Sequence, residues 1–193
     1  AAAIWQIVDA LGLDRIDLYG WLTGARMAIE MAVTVPQRVR RLALDGISLL
    51  DDAERDAYIE NYSPRIEPDQ IGSQVHATWQ FCRDQYLFLP WYQRDAAHRR
   101  ATGLPSADLL HIKAADVLKS LDMLPAILRA SLSYPVRERA ALLTVPALAE
   151  AGLAQSIADL TIMQSQVIEP LTASGSLLAA KSSEIARFLS LGE

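Results

Sequence analysis

The segment Leu11–Gly46 constrains the fold most, because its sequence indicates a strand, a tight turn, a helix and a second strand. The short apolar run Ile16–Tyr19 leads into Gly20–Gly24, which has the sequence GWLTG. The helical pattern of Thr23–Val35 follows and ends before a proline. Val39–Leu44 is again apolar and forms the second predicted strand. Two apolar strands joined by a helix favour a parallel sheet that is covered on both faces, with the two strands side by side.

Composition and charge exclude several classes of protein. The chain has 193 residues, of which 51% are hydrophobic and 21% are charged, so it can bury a sizeable core. Its formal net charge of −5 argues against nucleic-acid binding, which needs clustered lysine and arginine. No apolar run reaches the roughly 18 residues that span a bilayer, and the start lacks the basic region of a signal peptide. The single cysteine, Cys82, is compatible with a reducing compartment. We therefore expect a cytoplasmic protein that binds neither nucleic acid nor membrane.

The sequence pattern divides the chain into three parts. Residues 1–49 contain the strand–turn–helix segment, residues 50–135 collect charges, prolines and most aromatics, and residues 136–193 return to strand patterns. In the last part we predict two strands and a helix, at Leu142–Gly152, Gln166–Glu169 and Leu177–Leu189. We interpret the outer parts as a sheet-containing core and the middle part as a helical insertion or cap.

This order of elements resembles that of the α/β-hydrolase superfamily. The resemblance rests on the stretches LGLDRIDLYG, GWLTGARMAIEMA, VPQRVRRLALDG and LLTVPALAEAG. In that superfamily the turn reads G-x-S-x-G, with the nucleophile at the apex of a strained strand-to-helix elbow. Some members carry G-x-H-T-G, and GWLTG is similar to that form. The resemblance implies the C-terminal part of an α/β-hydrolase fold, with a mostly parallel sheet, helices on both faces and a helical cap. Gly24 is expected where the helix packs closely on the strand.

The residues that would form the family's catalytic triad are missing or displaced. Leu22 stands at the elbow apex and has neither a lone pair nor a proton for acyl transfer. The stretch Gly152–Ser156, which matches the acid turn, has no carboxylate, and Thr172–Ser176, which matches the histidine loop, has no histidine. Asp45 stands at an alternative acid position, although a turn-forming aspartate is the other interpretation. The histidines all fall in the predicted cap, at His76, His98 and His111.

The elbow keeps groups that can bind a ligand. Thr23 is the nearest hydroxyl to the apex and is a candidate nucleophile, with helix capping as the alternative. The amides of Thr23 and Gly24 begin a helix, whose dipole favours a carbonyl or carboxylate oxygen. Trp21 and Leu22 would make the mouth of a pocket apolar, although Trp21 can instead pack against the cap.

The predicted cap supplies the other candidate ligand-binding residues. Trp79, Arg83 and Tyr86 share one helical face, and Arg83 is placed to clamp an acidic ligand. The alternative is a structural pair between Arg83 and the adjacent Asp84 that holds the cap to the core. No histidine, cysteine and carboxylate cluster has metal-ligand spacing, and no phosphate-binding loop is present in the sequence. We therefore expect neither a metal nor a cofactor.

The strand Ile16–Tyr19 is expected to form an exposed edge of the sheet, because the family's strands before the elbow have no counterpart in the sequence. A protein partner or a second copy of the chain would cover that edge. We therefore expect a chain that binds a small apolar carbonyl compound between cap and sheet, or that serves as a structural half of an assembly. The alternative is an active hydrolase of esters or lactones, with catalytic groups supplied by a missing N-terminal segment or a partner chain.

Overall fold

The structure is a computed structural model that describes residues 1–47, 49–101, 103–149, 160–162 and 175–191. Its elements in chain order are α1 (Ala2–Ala10), β1 (Ile16–Trp21), α2 (Thr23–Thr34), β2 (Val39–Asp45), α3 (Asp52–Asn61), α4 (Ser73–Leu87), α5 (Ala107–Lys119), α6 (Leu124–Leu132), α7 (Val136–Ala140), β3 (Ala147–Ala149), β4 (Leu160–Ile162) and α8 (Gly175–Leu189). A single turn of 3-10 helix at Pro36–Arg38 leads into β2. None of the described helices combines the length and the hydropathy that crossing a bilayer requires.

The four described strands form one parallel sheet in the order β1-β2-β3-β4. Its register places Leu18 of β1 beside Leu42 of β2, and Leu42 beside Ala147 of β3. β1 lies at one end of this sheet, and among the described strands it pairs with β2 alone. The parallel α/β architecture predicted from the sequence is confirmed.

Helices cover both faces of the sheet in this part of the chain. On one face α1, α2 and α7 pack against the strands, and the buried side chains there include Ile29 and Leu42. On the other face α8 brings Phe188 against Ala43 and Leu148. Side chains alternate along a strand, so neighbouring residues Leu42 and Ala43 of β2 reach opposite faces. One strand therefore contributes to both layers of the core, and each large apolar side chain buried there contributes roughly 1.5–3 kcal/mol.

A polar cluster ties the helix after the elbow to the segment around α7. Glu30 of α2 accepts hydrogen bonds from the hydroxyl of Tyr134 at 2.9 Å and from Nε and Nη2 of Arg139, also at 2.9 Å. The hydrogen bond from Arg139 lowers the pKa of Glu30. The side chains of Glu30 and Arg139 are about a third exposed, so solvent screens the attraction between their charges. The main effect of the cluster is to fix the far end of α2, whose near end forms the elbow.

Residues Leu50–Ser133 form a compact unit of their own, and Ala1–Leu49 together with Tyr134–Glu193 form the other. Within the first of these, α3 packs on α6 and α4 packs on α5. Trp91 lies edge-on to Phe81, with 5.0 Å between the ring centroids. Such contacts give this helical unit its own small core.

Element boundaries follow the sequence prediction closely around the elbow and less closely near the C-terminus. α2 ends one residue earlier than predicted, and β2 extends one residue further, to Asp45. In the stretch Leu142–Gly152, regular strand is confined to Ala147–Ala149 among the described residues. The predicted strand Gln166–Glu169 and the acid turn Gly152–Ser156 lie outside the described residues. The last described strand, β4, occupies Leu160–Ile162.

The close approach between β1 and α2 occurs at Gly20 and not at Gly24, so that expectation from the sequence is wrong. A Cβ atom at Gly20 would lie 2.5 Å from the carbonyl oxygen of Gly24 and 2.6 Å from the Cα of Ala25. A Cβ atom at Gly24 would meet nothing within 4 Å outside its own helix turn. The chain reverses direction so sharply at the elbow that the strand's last glycine, rather than the helix's first, touches the neighbouring backbone.

We predict that Gly20→Ala destabilises the protein, whereas Gly24→Ala does not. The new methyl group at residue 20 collides with backbone atoms that cannot rotate away, a kind of overpacking that costs about 1–3 kcal/mol. At residue 24 alanine suits the helix and is expected to add about 0.4–1 kcal/mol. The measurement is the free energy of urea-induced unfolding of both variants and of the parent chain. Equal free energies for the two variants would contradict the elbow geometry.

Candidate ligand-binding site at the elbow

Leu22 occupies a strained backbone conformation between β1 and α2. Its φ is 50° and its ψ is −111°, and it is the one non-glycine residue with positive φ in the described part of the chain. Its N–H donates to the carbonyl oxygen of Asp45 at 2.9 Å, and its own carbonyl oxygen accepts from the N–H of Ala25 at 3.1 Å. The same oxygen accepts from Nη1 of Arg26 at 3.2 Å. These bonds hold a conformation that costs on the order of 1–3 kcal/mol.

The side chains of Trp21 and Leu22 lie against the backbone of Gly46. A Cβ atom at Gly46 would be 2.8 Å from Cδ2 of Leu22 and 3.2 Å from Cδ1 and Nε1 of Trp21. Gly46 also has φ of +65°, a region that side chains disfavour. The indole Nε1 of Trp21 is buried without a hydrogen-bond partner in the described part of the chain. The result is an apolar wall with one buried donor beside the apex.

The beginning of α2 supplies the polar side of the site. α2 begins at Thr23, and the beginning of a helix carries the positive end of the helix dipole. Arg26 adds a guanidinium group one turn further along. Burial lowers the pKa of Arg26 from its ordinary value. This arrangement favours a carbonyl or carboxylate oxygen near the apex.

Asp45, the candidate acid, is bound by a tyrosine and a lysine. It is the last residue of β2 and is 1% exposed. One carboxylate oxygen accepts from the hydroxyl of Tyr19 at 2.9 Å, and the other forms a short ion pair with Nζ of Lys181 on α8. Lys181 is itself 4% exposed. A triad acid would instead orient a histidine.

Sequence reasoning missed Tyr19 and Lys181. Lys181 is separated from Asp45 by 136 positions, so no local pattern connects them. One signal was available: Lys181, Ile185 and Phe188 recur at spacings of four and three, so the lysine falls on the stripe of α8 that contains the buried Phe188. A lysine on a buried stripe implies a carboxylate partner.

The other predicted site residues lie in the helical unit. Trp79 and Arg83 are on α4, which belongs to the compact unit Leu50–Ser133. Nε and Nη2 of Arg83 donate to Oδ1 of Asp84 at 2.9 and 2.7 Å. Nε of Arg94 lies 2.9 Å from the other oxygen of Asp84, which is fully buried. The Arg83–Asp84 pair considered from the sequence is therefore present, and both of its members belong to the same helix.

Two of the histidines also bond within the helical unit. Nε2 of His76 lies 2.8 Å from Nε2 of Gln80, and Nδ1 of His98 lies 2.8 Å from Oδ1 of Asp95. Both contacts are local, three or four residues apart along the chain. Among the residues that the structure describes, no group of three histidine, cysteine or carboxylate side chains is arranged to hold a metal ion.

Comparison with known proteins identifies the fold. No protein-family model matches the chain. Among curated proteins, the 2-hydroxy-6-oxo-2,4-heptadienoate hydrolase of Pseudomonas putida is 50% identical over 40 residues. That match covers 21% of this chain and 14% of the Pseudomonas protein, so it is a short segment of similarity.

Solved structures match over most or all of the chain. A hydrolase from Pseudomonas aeruginosa has a TM-score of 0.61 at 18% identity, and the match covers 100% of this chain and 70% of that one. An α/β-hydrolase from a Medee basin deep-sea metagenome library has a TM-score of 0.53 at 10% identity and covers 84% and 60%. Est816, described as an N-acyl homoserine lactone degrading enzyme, has a TM-score of 0.53 at 15% identity and covers 96% and 70%. These matches show that the chain has the α/β-hydrolase fold, which confirms the fold that the sequence resemblance implies. The chain spans about 60–70% of the length of those proteins.

We predict that Leu22→Gly is more stable than Leu22→Ala. Alanine in ordinary helix or strand is favoured over glycine by roughly 0.5–1 kcal/mol. At residue 22 the positive φ reverses this order, because glycine accepts the conformation without strain, and we expect a difference of about 1 kcal/mol in its favour. Both variants lose the leucine side chain, so the difference between their free energies of unfolding reports the backbone strain at residue 22. Urea-induced unfolding measures it, and a more stable alanine variant would show that the apex is not strained.

Proposed function

We propose that this chain binds a small, largely apolar carbonyl compound at the elbow and does not attack it from residue 22. The hydrocarbon side chain of Leu22 offers no atom for acyl transfer. The proposal combines the positive end of the α2 dipole with the apolar surface beside the apex, and it assigns no nucleophile to residue 22.

The observation that carries the proposal is the strained backbone of Leu22. Strain of this size persists only where the surroundings impose it, and it concentrates at ligand-binding and catalytic sites. Here the carbonyl of Asp45 and the N–H of Ala25 impose it on both sides of the apex. The conformation directs the chain so that α2 begins immediately after the apex.

The chemistry around the apex supports a carbonyl ligand. Trp21 and Leu22 form an apolar wall over Gly46, and the first turn of α2 with Arg26 favours an oxygen acceptor. The names of two similar proteins describe carbonyl-containing molecules, an oxo-carboxylate and an acyl lactone. A ligand with an apolar body and a single carbonyl oxygen fits both sides of the site.

Acetophenone and ethylbenzene form a matched pair of probes, because they share the aromatic ring and differ in the carbonyl oxygen. We predict that acetophenone shifts the amide NMR resonances of Thr23 and Gly24 and binds about 2–10 times more tightly than ethylbenzene, the value of one hydrogen bond. The amides of Ala107 and Asp108, at the beginning of α5, serve as the control helix terminus. Equal binding of the two probes, or equal shifts at both helix termini, would count against the proposal.

The alternative is an active hydrolase of esters or lactones. Thr23 and Asp45 are then the candidate groups within this chain, and the remaining catalytic groups come from another segment or a partner. Hydrolysis of p-nitrophenyl acetate above the rate in buffer, abolished by Thr23→Val, would favour this alternative over simple binding. Turnover that survives Thr23→Val would leave the nucleophile outside the elbow.

A second candidate function, as a structural half of an assembly, is favoured by the position of β1. This strand lies at the end of the described sheet, and among described strands its one neighbour is β2. Open sheet edges invite pairing with another polypeptide. We propose that β1 pairs with a protein partner or with a second copy of the chain.

Amide hydrogen exchange tests this pairing without a mutation. The N–H of Leu22 points towards β2, so strand alternation directs the N–H of Trp21 towards the open edge. We predict that exchange at Trp21 slows as protein concentration rises, while exchange at residues on β2 stays constant. Native mass spectrometry then shows whether the partner is a second copy of the chain or a different protein. Exchange at Trp21 that is independent of concentration and of added cell extract would contradict the pairing.

A further inference from the structure

A cavity lies within the helical unit Leu50–Ser133. Its volume is about 330 Å³, and its lining comes from the end of α3, from residues 63–67 and from α6. The lining includes no residue of the elbow or of the sheet. Small-molecule sites have volumes of about 300–1,000 Å³, so this cavity suits a ligand at the small end of that range.

The apolar part of the lining is rigid. It consists of two isoleucines and two prolines, namely Ile59, Pro64, Ile66 and Pro125. Proline fixes its own φ, so the backbone at Pro64 and Pro125 has little freedom to lose when a ligand binds. A preformed apolar surface of this kind binds the hydrocarbon part of a ligand at low entropic cost. The cavity therefore favours a ligand with an apolar body.

The charged part of the lining consists of two arginines and two glutamates. Glu60 comes from α3, Arg65 and Glu67 come from the segment after it, and Arg129 comes from α6. All four residues are exposed, and within the described part of the chain none of their side chains forms an ion pair or a hydrogen bond. Positive and negative groups are therefore both available to a ligand.

The equal number of positive and negative groups determines which charge a ligand should carry. A simple anion would be attracted by the arginines and repelled by the glutamates, whereas a simple cation would be repelled by the arginines and attracted by the glutamates. A molecule with one group of each sign can pair with both kinds of side chain. Guanidinium groups bind carboxylates through two parallel hydrogen bonds, and an ammonium group donates hydrogen bonds to a carboxylate. The lining therefore favours a zwitterion over an ion of either sign.

We propose that this cavity binds small zwitterions with an apolar body, of which apolar α-amino acids are the simplest. The carboxylate of the ligand pairs with Arg65 and Arg129, and its ammonium group pairs with Glu60 and Glu67. Its hydrocarbon part packs on the isoleucines and prolines of the lining. This proposal does not rest on the function proposed at the elbow.

Phenylalanine, phenethylamine and 3-phenylpropionate test the proposal, because they share a phenylethyl framework and differ in charge. Phenylalanine carries both charges, phenethylamine lacks the carboxylate, and 3-phenylpropionate lacks the ammonium group. Titration of the parent chain at neutral pH is followed by the amide NMR resonances of Ile59, Arg65 and Ile66. We expect phenylalanine to bind about 2–5 times more tightly than either of the other probes, the value of one exposed ion pair.

Two double variants separate the two ends of the ligand. Arg65→Gln combined with Arg129→Gln should remove the preference for phenylalanine over phenethylamine and keep the preference over 3-phenylpropionate. Glu60→Gln combined with Glu67→Gln should have the opposite effect. The preference that each double variant keeps shows that it still forms the cavity.

Arg99→Gln and Asp122→Asn are matched controls, because they remove exposed charges of the same unit that lie outside the lining. Both controls should keep the full preference for phenylalanine. Equal affinity of the parent chain for the three probes, tighter binding of either singly charged probe, or preferences that survive the double variants would overturn the proposal. Shifts confined to Thr23 and Gly24 would also overturn it, because they would place the ligand at the elbow.

Discussion

The structure of the core depends on Asp45, where three elements meet. The backbone carbonyl of this residue accepts the N–H of Leu22, and its carboxylate binds Tyr19 and Lys181. Asp45 thereby holds together three elements, namely β1, the elbow and α8. Removing one partner from a buried ion pair costs about 3–5 kcal/mol, because the other charge stays buried and uncompensated.

Two glycines make the elbow possible by opposite means. Gly20 allows the backbone of α2 to approach β1 within the distance that any side chain would occupy. Gly46 leaves room above its own backbone for Trp21 and Leu22, and its positive φ directs the chain away from them. The strained residue between these glycines is Leu22, and its positive φ is unfavourable for a leucine. The hydrogen bonds of its neighbours impose the conformation on it.

The features that could be predicted from the sequence are those that a local sequence pattern determines. The apolar strands around GWLTG, the helix between them and their parallel pairing follow from periodicity and from the chirality of crossover connections, and the structure has them. The Asp45–Lys181 pair could not be predicted in this way, because it joins residues far apart in the chain. The sequence pattern favours Gly24 as the glycine at the close approach, whereas the structure has Gly20 there, because a sequence pattern gives spacing but not the direction in which a turn folds back. The positions of Trp79 and Arg83 on one helix were predictable, whereas the bond from Arg83 to Asp84 was one of two open interpretations.

The leucine at the apex has a consequence for chemical labelling. Reagents that phosphonylate or acylate a side-chain oxygen at this point of the fold require a nucleophile, and residue 22 presents a methyl-ended hydrocarbon. A proteome screened by such reagents at the apex would leave this chain unmarked, although its backbone has the shape of a reactive member of the fold. Inventories of proteins with this fold that depend on covalent capture at the apex therefore omit chains that have a hydrocarbon side chain there.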